Sequence, residues 1–535
     1  MPVLQAPIKT LTPAVAVAPS TGGQRRLEIY GKALLVALFL ACVTLAAVTT
    51  LNHEPWRDEA DVWLHVRDES MSGLLSRMCY IGTPALWYLC VVPLVKLGAP
   101  YYSMNLLNLA FASLAIFLLM FRSRLPFPFK AILPISCLFL YEYAVVARSY
   151  SLSVLLIFAL ADMHANRFKR PWIYSLLLGL LANSNVLGLC ISLTILSPFA
   201  YRLLLDRKKF LPCSLAMIGL LLSTLQLIPP PNGQFNAPHS VVYAPLIALK
   251  QAFFPSILLI DHSYAFHGAL FEKVILTLAA AGIVASILYL IRRSKNAIWC
   301  FVSSCVLINL VFLNYLGGYR HWGFYVVLAI YAIWISDTER RSAAIDGQKE
   351  EEHFVEEDRE RAGPSARERR NNAMTWLHIP LFISICYSAF VGLNFCIEDL
   401  TRPFSAAESA AKFLLSMPDA PVAALSPFTS ESMLPYMPGK RFFYPGINDY
   451  GTHMQWTREE FQEWSREKLL MRTTAFFGSS CPLYLISDHP LFPDRSSGDF
   501  RLLYDSSATK PLCHNEICYV YGRNIAALNH HRASR

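Results

Sequence analysis

Charge is scarce in this chain of 535 residues: Asp, Glu, Lys and Arg make up 16% of it, against about 25% in soluble domains. That shortage excludes a soluble protein built on one core, because 54% of the residues are apolar and the mean hydropathy is positive. Only many long apolar stretches give this balance at such a length, and they are the mark of membrane spans. The formal charge of +9 comes without any arginine-rich helix interleaved with aromatics, which argues against a nucleic-acid partner. No CxxC pair and no His/Cys metal spacing occurs, so no pattern demands a metal, and a divalent cation stays open as a cofactor. No small-residue cleavage site follows the first apolar run, 30–51. That run is too long for a signal-peptide core and reads as an uncleaved span.

What the chain does have is apolar runs, near 30–51, 102–121, 131–147, 150–163, 172–186, 187–205, 211–228, 270–291, 297–316, 323–336 and 376–395. They predict a mainly α, polytopic membrane protein of about eleven transmembrane helices. Cations gather in alternate loops: Arg122, Arg124 and Lys130; Arg167, Lys169 and Arg170; Arg202, Arg207, Lys208 and Lys209; Arg292, Arg293 and Lys295. The positive-inside rule makes those loops cytoplasmic. The alternation holds only if the apolar stretch 84–98 does not cross. It is therefore read as a helix lying at the outer surface, interrupted by Pro93.

The resulting plan is a disordered cytoplasmic tail (1–29), a transmembrane module (30–336) with a first outer loop (52–100), a charged and disordered cytoplasmic linker (337–375), a last span (376–395) and an outer domain (396–535). The protein is thus placed in the inner, or plasma, membrane, with its N-terminus inside and its C-terminal domain outside. Ser405 with Glu408 and Thr457 with Glu460 have capping-box spacing and predict two helices in that domain, while 483–486 and 517–521 read as strands, together a small α/β unit. Cys513 and Cys518 then face an oxidising space, where they either pair or stay free thiols. Trp56, Trp63, Trp87 and Trp322 fall at predicted interfaces and read as anchors.

The first outer loop reads HEPWRDEADVWLHVRDES from residue 53, with Glu54, Asp58, Glu59, Asp61 and Asp68 close together. A carboxylate held at the membrane surface can act as general base towards a hydroxyl. The loop 141–150 adds Glu142, Arg148 and Tyr150 on the same side, and 317–323 adds Arg320 and His321. Asn183 and Asn185 cap helices next to Leu187. Ionisable residues at membrane depth are candidates for function, and an arginine pair suits a phosphate.

Five segments together resemble the GT-C superfamily of membrane glycosyltransferases, which includes the protein O-mannosyltransferases and the lipid A aminoarabinose transferases. They are EPWRDEADVW (54–63), GTPALWYL (82–89), YEYAVVARSY (141–150), LLANSNVLG (180–188) and YRHWG (319–323). Within that superfamily the chain is most similar to a bacterial group that uses lipid-linked donors. The resemblance implies an inverting transfer of a sugar from a polyprenyl-phosphate donor to a lipid, glycan or protein acceptor on the outer face. Asp58 then matches the catalytic acid, with Glu59 its catalytic neighbour, and Glu142, Arg148, Tyr150, Arg320 and His321 are the substrate-binding candidates. The chain departs from the group in two places. Thr83-Pro-Ala-Leu86 replaces a common His-Pro-Pro-Leu, and Val146 stands where an acid often precedes Ala-Arg, so that Glu142 is the nearest acid. A lipid-linked-sugar transporter or flippase is the alternative reading, and a scaffold acting through the outer domain a third.

Overall fold

The structure, a computed structural model, describes residues 21–205, 210–236, 242–256, 270–351, 376–492 and 499–523. The expected tail before residue 21 and the linker from 352 to 375 lie outside these residues, as do parts of the loop 229–268.

Every apolar run of the sequence falls largely on helical structure. Among the described residues, six helices are long and apolar enough to cross a membrane: Ile29–Asn52, Ser103–Arg122, Val186–Leu205, Phe271–Ile291, Lys295–Phe312 and Trp376–Thr401. Tyr150–Asn166, Pro171–Ala182 and Cys213–Leu227 are shorter apolar helices packed among them. Where Pro171–Ala182 meets Cys213–Leu227, a Cβ on Gly219 would sit 2.4 Å from the Gly179 Cα. The two backbones touch only because both positions lack side chains, the usual device where lipid gives no hydrophobic drive.

Leu86–Lys96 has 11 residues and contains Pro93. At about 1.5 Å per residue it is roughly half as long as a ~30 Å hydrocarbon core is thick, too short to cross it unaided. It packs on the helix Arg57–Asp68 instead.

The run 131–147 is not one helix. Pro134 breaks it into Phe127–Ile132, the 3-10 turn Leu133–Ile135 and the π-turn Cys137–Glu142, followed by irregular backbone to Ser149. Backbone freed in this way needs donors. Asn108, buried in the neighbouring span, supplies them, its Nδ2 donating to the carbonyls of Tyr143, Ala144 and Val146 at 3.0, 3.1 and 3.2 Å. Ser151 closes the network by donating to Asn108 Oδ1 at 2.6 Å.

Three expectations need correcting. The charged segment after residue 336 begins as helix, because Phe324–Glu351 runs through it. Asp337 pairs with Arg340 and Arg341 one turn on, and Glu339 is held by His164, Ser294 and Asn296 at 2.8, 2.6 and 2.7 Å. At the other end of the chain the first helix already starts at Thr21. The tryptophans taken as anchors, Trp56, Trp63, Trp87 and Trp322, are all buried, whereas Trp172, Trp299 and Trp376 are the exposed ones.

The C-terminal domain is a six-stranded sheet of β1 (Val422–Ala424), β2 (Phe442–Tyr444), β3 (Asp449–Gly451), β4 (Leu483–Ser487), β5 (Arg501–Asp505) and β6 (Tyr519–Arg523) in the order β3-β2-β1-β4-β6-β5. β1 lies parallel to β2 and β4, and the other pairs are antiparallel. Period-2 alternation splits its apolar residues. Phe443, Leu485 and Tyr521 face one side, while Phe442, Ile486 and Val520 face Ala60 and Leu64 of the helix Arg57–Asp68. The sheet is thereby fastened to the loop that carries the acids.

Ala407–Ser416 starts without the expected Ser405–Glu408 box. Glu54 of the first loop reaches across, and the Glu408 amide donates to its Oε1 at 2.7 Å. Thr457 and Glu460 shape a turn, not a helix, and the helix that follows, Arg466–Phe477, is capped by Ser465. Cys513 and Cys518 are both buried free thiols, and no disulfide joins them.

Candidate active site

The first loop folds as a short helix, Arg57–Asp68, whose N-terminus is set by Glu59. Its Oε2 accepts from the Trp56 amide at 3.2 Å, closing the first turn. The same oxygen meets His53 Nε2 at 3.1 Å, while Oε1 accepts from Asn105 Nδ2 at 2.7 Å and the Ala147 amide at 2.8 Å. Glu59, expected beside Asp58 as a catalytic residue, is fully buried and its oxygens are taken by these four groups. It ties together the first loop, the helix starting at Ser103 and the 141–150 loop.

His53 extends this tie, with Nδ1 2.7 Å from Asp399 Oδ2, an oxygen that also accepts from the Tyr141 hydroxyl at 2.9 Å. Burial works against a charged imidazole there. The two carboxylates, Asp399 first and Glu59 second, outweigh it and push the His53 pKa up to about 10.

Asp58, one residue earlier, points the other way. Its side chain is 35% exposed, and Oδ2 lies 3.5 Å from Arg320 Nη1. Arg320 also approaches Glu142 Oε2, at 3.8 Å, and stacks 4.9 Å above the Trp56 ring. Arg148 donates to the Asp58 backbone carbonyl. His321 accepts from the Gly318 amide on Nδ1 at 2.9 Å, so in the neutral ring Nε2 carries the hydrogen and donates to the Tyr150 oxygen 2.6 Å away. The tyrosine hydrogen is then left to donate elsewhere. Asp58, Glu142, Arg148, Tyr150, Arg320 and His321 therefore form one cluster from three loops. Asn183 and Asn185 keep their capping roles, with Asn185 Oδ1 accepting from the Gly188 amide at 2.8 Å.

The C-terminal domain closes over the far end of this helix. Trp456 Nε1 and the Tyr88 hydroxyl donate to the two Asp61 oxygens at 2.8 and 3.2 Å, and Arg67 Nη1 donates to the Leu434 carbonyl at 3.1 Å. Burial, with Asp61 nearby, pushes the Glu431 pKa well up, which favours the neutral carboxyl. Sequence reasoning missed Asn105, Asn108, Asp399 and Glu431. The two asparagines did carry a signal, as polar residues inside the apolar run 102–121. Among the described residues, no group of three potential metal ligands includes Asp58. The one such group, His65, Glu69 and His453, lies farther along the helix.

A polytopic helical bundle, juxtamembrane helices bearing an acid and a C-terminal sheet domain define the GT-C fold. Solved structures share it, two of ArnT among them. ArnT from Cupriavidus metallidurans bound to undecaprenyl phosphate is 13% identical, with 92% of this chain and 98% of that chain covered and a TM-score of 0.50. Its apo state is 12% identical over the same coverage, with a TM-score of 0.51. No family model and no curated protein matches the sequence.

Proposed function

We propose that this chain is an inverting glycosyltransferase, moving a sugar from a polyprenyl-phosphate donor to an acceptor hydroxyl on the outer face of the plasma membrane. One observation carries the reading: a partly exposed carboxylate, Asp58, is held at the edge of an apolar bundle beside two half-buried arginines, Arg320 and Arg148. The arrangement suits a bilayer-anchored donor, and the similar ArnT is a protein seen with undecaprenyl phosphate.

In this mechanism Asp58 takes the proton of the acceptor hydroxyl as its oxygen attacks the anomeric carbon. The bond from that carbon to the phosphate oxygen breaks on the opposite face, and the polyprenyl phosphate leaves with the added negative charge. Arg320 and Arg148 neutralise that charge, and the Tyr150 hydroxyl, oriented by His321, donates to a phosphate oxygen. Glu142 keeps Arg320 in place.

The test incubates membranes carrying the protein with a panel of labelled polyprenyl-phosphate sugars. Transfer of one label, lost in Asp58→Asn while the variant stays folded and inserted, supports the reading. Undiminished transfer by Asp58→Asn removes Asp58 from its role. Movement of labelled lipid between leaflets without transfer makes the chain a flippase.

A further inference from the structure

Farther along the helix that carries Asp58, a second polar group is built whose chemistry the proposed transfer does not use. His65 lies in the last turn of Arg57–Asp68 and Glu69 is its C-cap, so the i,i+4 pair shares one face. His453 reaches that face from the C-terminal domain, shortly after β3. One potential ligand atom of each residue lies within 4.8 Å of the other two, and His453 Nε2 is 3.2 Å from Glu69 Oε1.

Two observations beyond this proximity point to a ligand. His65 is fully buried; its Nε2 lies 3.3 Å from Asp61 Oδ1, while its Nδ1 has no hydrogen-bond partner among the described residues. A buried imidazole left so is costly. Glu69 also occupies a space reserved for it, since a Cβ at Gly73 would stand 2.4 Å from Glu69 Oε2. Arg77 Nε approaches Oε1 at 3.3 Å, a long contact that a metal would outcompete.

We propose that His65, Glu69 and His453 bind one zinc ion, which clamps the C-terminal domain to the helix bearing Asp58. Two imidazoles and a carboxylate suit zinc, where calcium and magnesium take oxygen sets. Tetrahedral bonds of about 2.0–2.1 Å put ligand atoms roughly 3.3 Å apart. His453 and Glu69 already stand at that spacing, and His65 completes the set by a side-chain adjustment. Asp61 is then the carboxylate that orients the His65 ring through its other nitrogen, and Trp456 and Tyr88 hold Asp61 in turn. The ion acts as a positioning element: fixing His453 fixes the neighbouring Trp456 against the helix.

The test measures metal and not turnover. Full-length protein carrying no histidine tag is purified in detergent, stripped with a chelator, dialysed against zinc and then zinc-free buffer, and analysed for metal by mass spectrometry. The expected content is about one zinc per chain, falling to about a tenth or less in His453→Ala and in Glu69→Gln, the latter isosteric and least apt to disturb folding. Gly73→Val, which displaces Glu69 without touching a ligand, lowers the content as well. Size-exclusion profiles establish that each variant is folded, and zinc raises the melting temperature of the wild type alone. Wild-type protein that retains no zinc overturns the proposal, as does full retention by both ligand variants. Asp58→Asn keeps its zinc whatever its transfer activity, so the failure of one reading leaves the other standing.

Discussion

Asp58 and Glu59 are neighbours in sequence with opposite assignments, and a pair of amide substitutions separates them. Glu59→Gln turns one carboxylate oxygen into a donor. If the new NH2 faces Asn105 and Ala147, Asn105 can flip, because its Oδ1 has no partner among the described residues, but the Ala147 amide is left facing a donor. If it faces the other way, the Trp56 amide and His53 meet it. One orphaned buried donor costs about 1–3 kcal/mol. Breaking the charge pairing with His53 adds to this, though Asp399 still holds that ring. A total of about 2–5 kcal/mol follows, enough to lower the melting temperature in detergent by on the order of 5 °C. Asp58→Asn removes a partly exposed contact to Arg320 and leaves the melting curve nearly unchanged, while transfer falls by roughly 10²–10⁴. Differential scanning fluorimetry and the labelled-sugar assay read both quantities on the same preparations. Should Glu59→Gln melt like the wild type and yet lose all transfer, Glu59 would be a reacting group and the assignment made here would be refuted.

Other substitutions probe the frame around that pair. Arg320→Lys keeps a cation but loses the fork between Asp58 and Glu142, and raises the donor KM about tenfold with a smaller change in kcat in steady-state assays. Asn108→Ala strips the donor from three buried carbonyls, costs about 2–4 kcal/mol, and lowers both thermal stability and transfer, since Arg148 hangs on that loop. Gly219→Val drives a side chain into Gly179 and is expected to abolish the monodisperse peak in size exclusion, where Gly282→Val, with open space at its Cβ, leaves it intact. Burial pushes the pKa of Glu54 up to about 8 and those of Glu460 and Glu516 up to about 7. These folded-state values exceed the roughly 4.3 of an unfolded glutamate, so the folded protein holds more protons between those limits. Their stabilising contribution is complete below about pH 4.3 and is lost as the pH rises through 7 to 8. A melting-temperature profile falling over that window, and flattened by Glu516→Gln, is the expected readout.

The bundle was legible because apolar runs and cation alternation are properties of local sequence. The stretch 84–98, read from charge as lying at the surface, forms a helix of only 11 residues. Legibility stopped where the physics became long-range. The segment from 337 looked like a linker by composition, but Glu339 is held by His164 and Ser294, partners that no local pattern supplies. Glu54 caps a helix that starts beyond residue 400, so the local Ser405–Glu408 signal was overridden by a stronger acceptor from elsewhere.

The acidic loop shows the same limit at the scale of single residues. Consecutive residues on a helix are turned by about 100° from one another, so of two adjacent acids at a bundle's edge only one can face the opening. Which one follows from the cap: Glu59 stands three residues after Trp56, where its carboxylate must turn back to the free amides of the first turn, and Asp58 is thereby directed outward. That spacing was present in the sequence. It was not informative until His53 and Asn105 showed that the inward side was buried, because only in a buried site must a capping carboxylate gather further donors around it and become unavailable for chemistry.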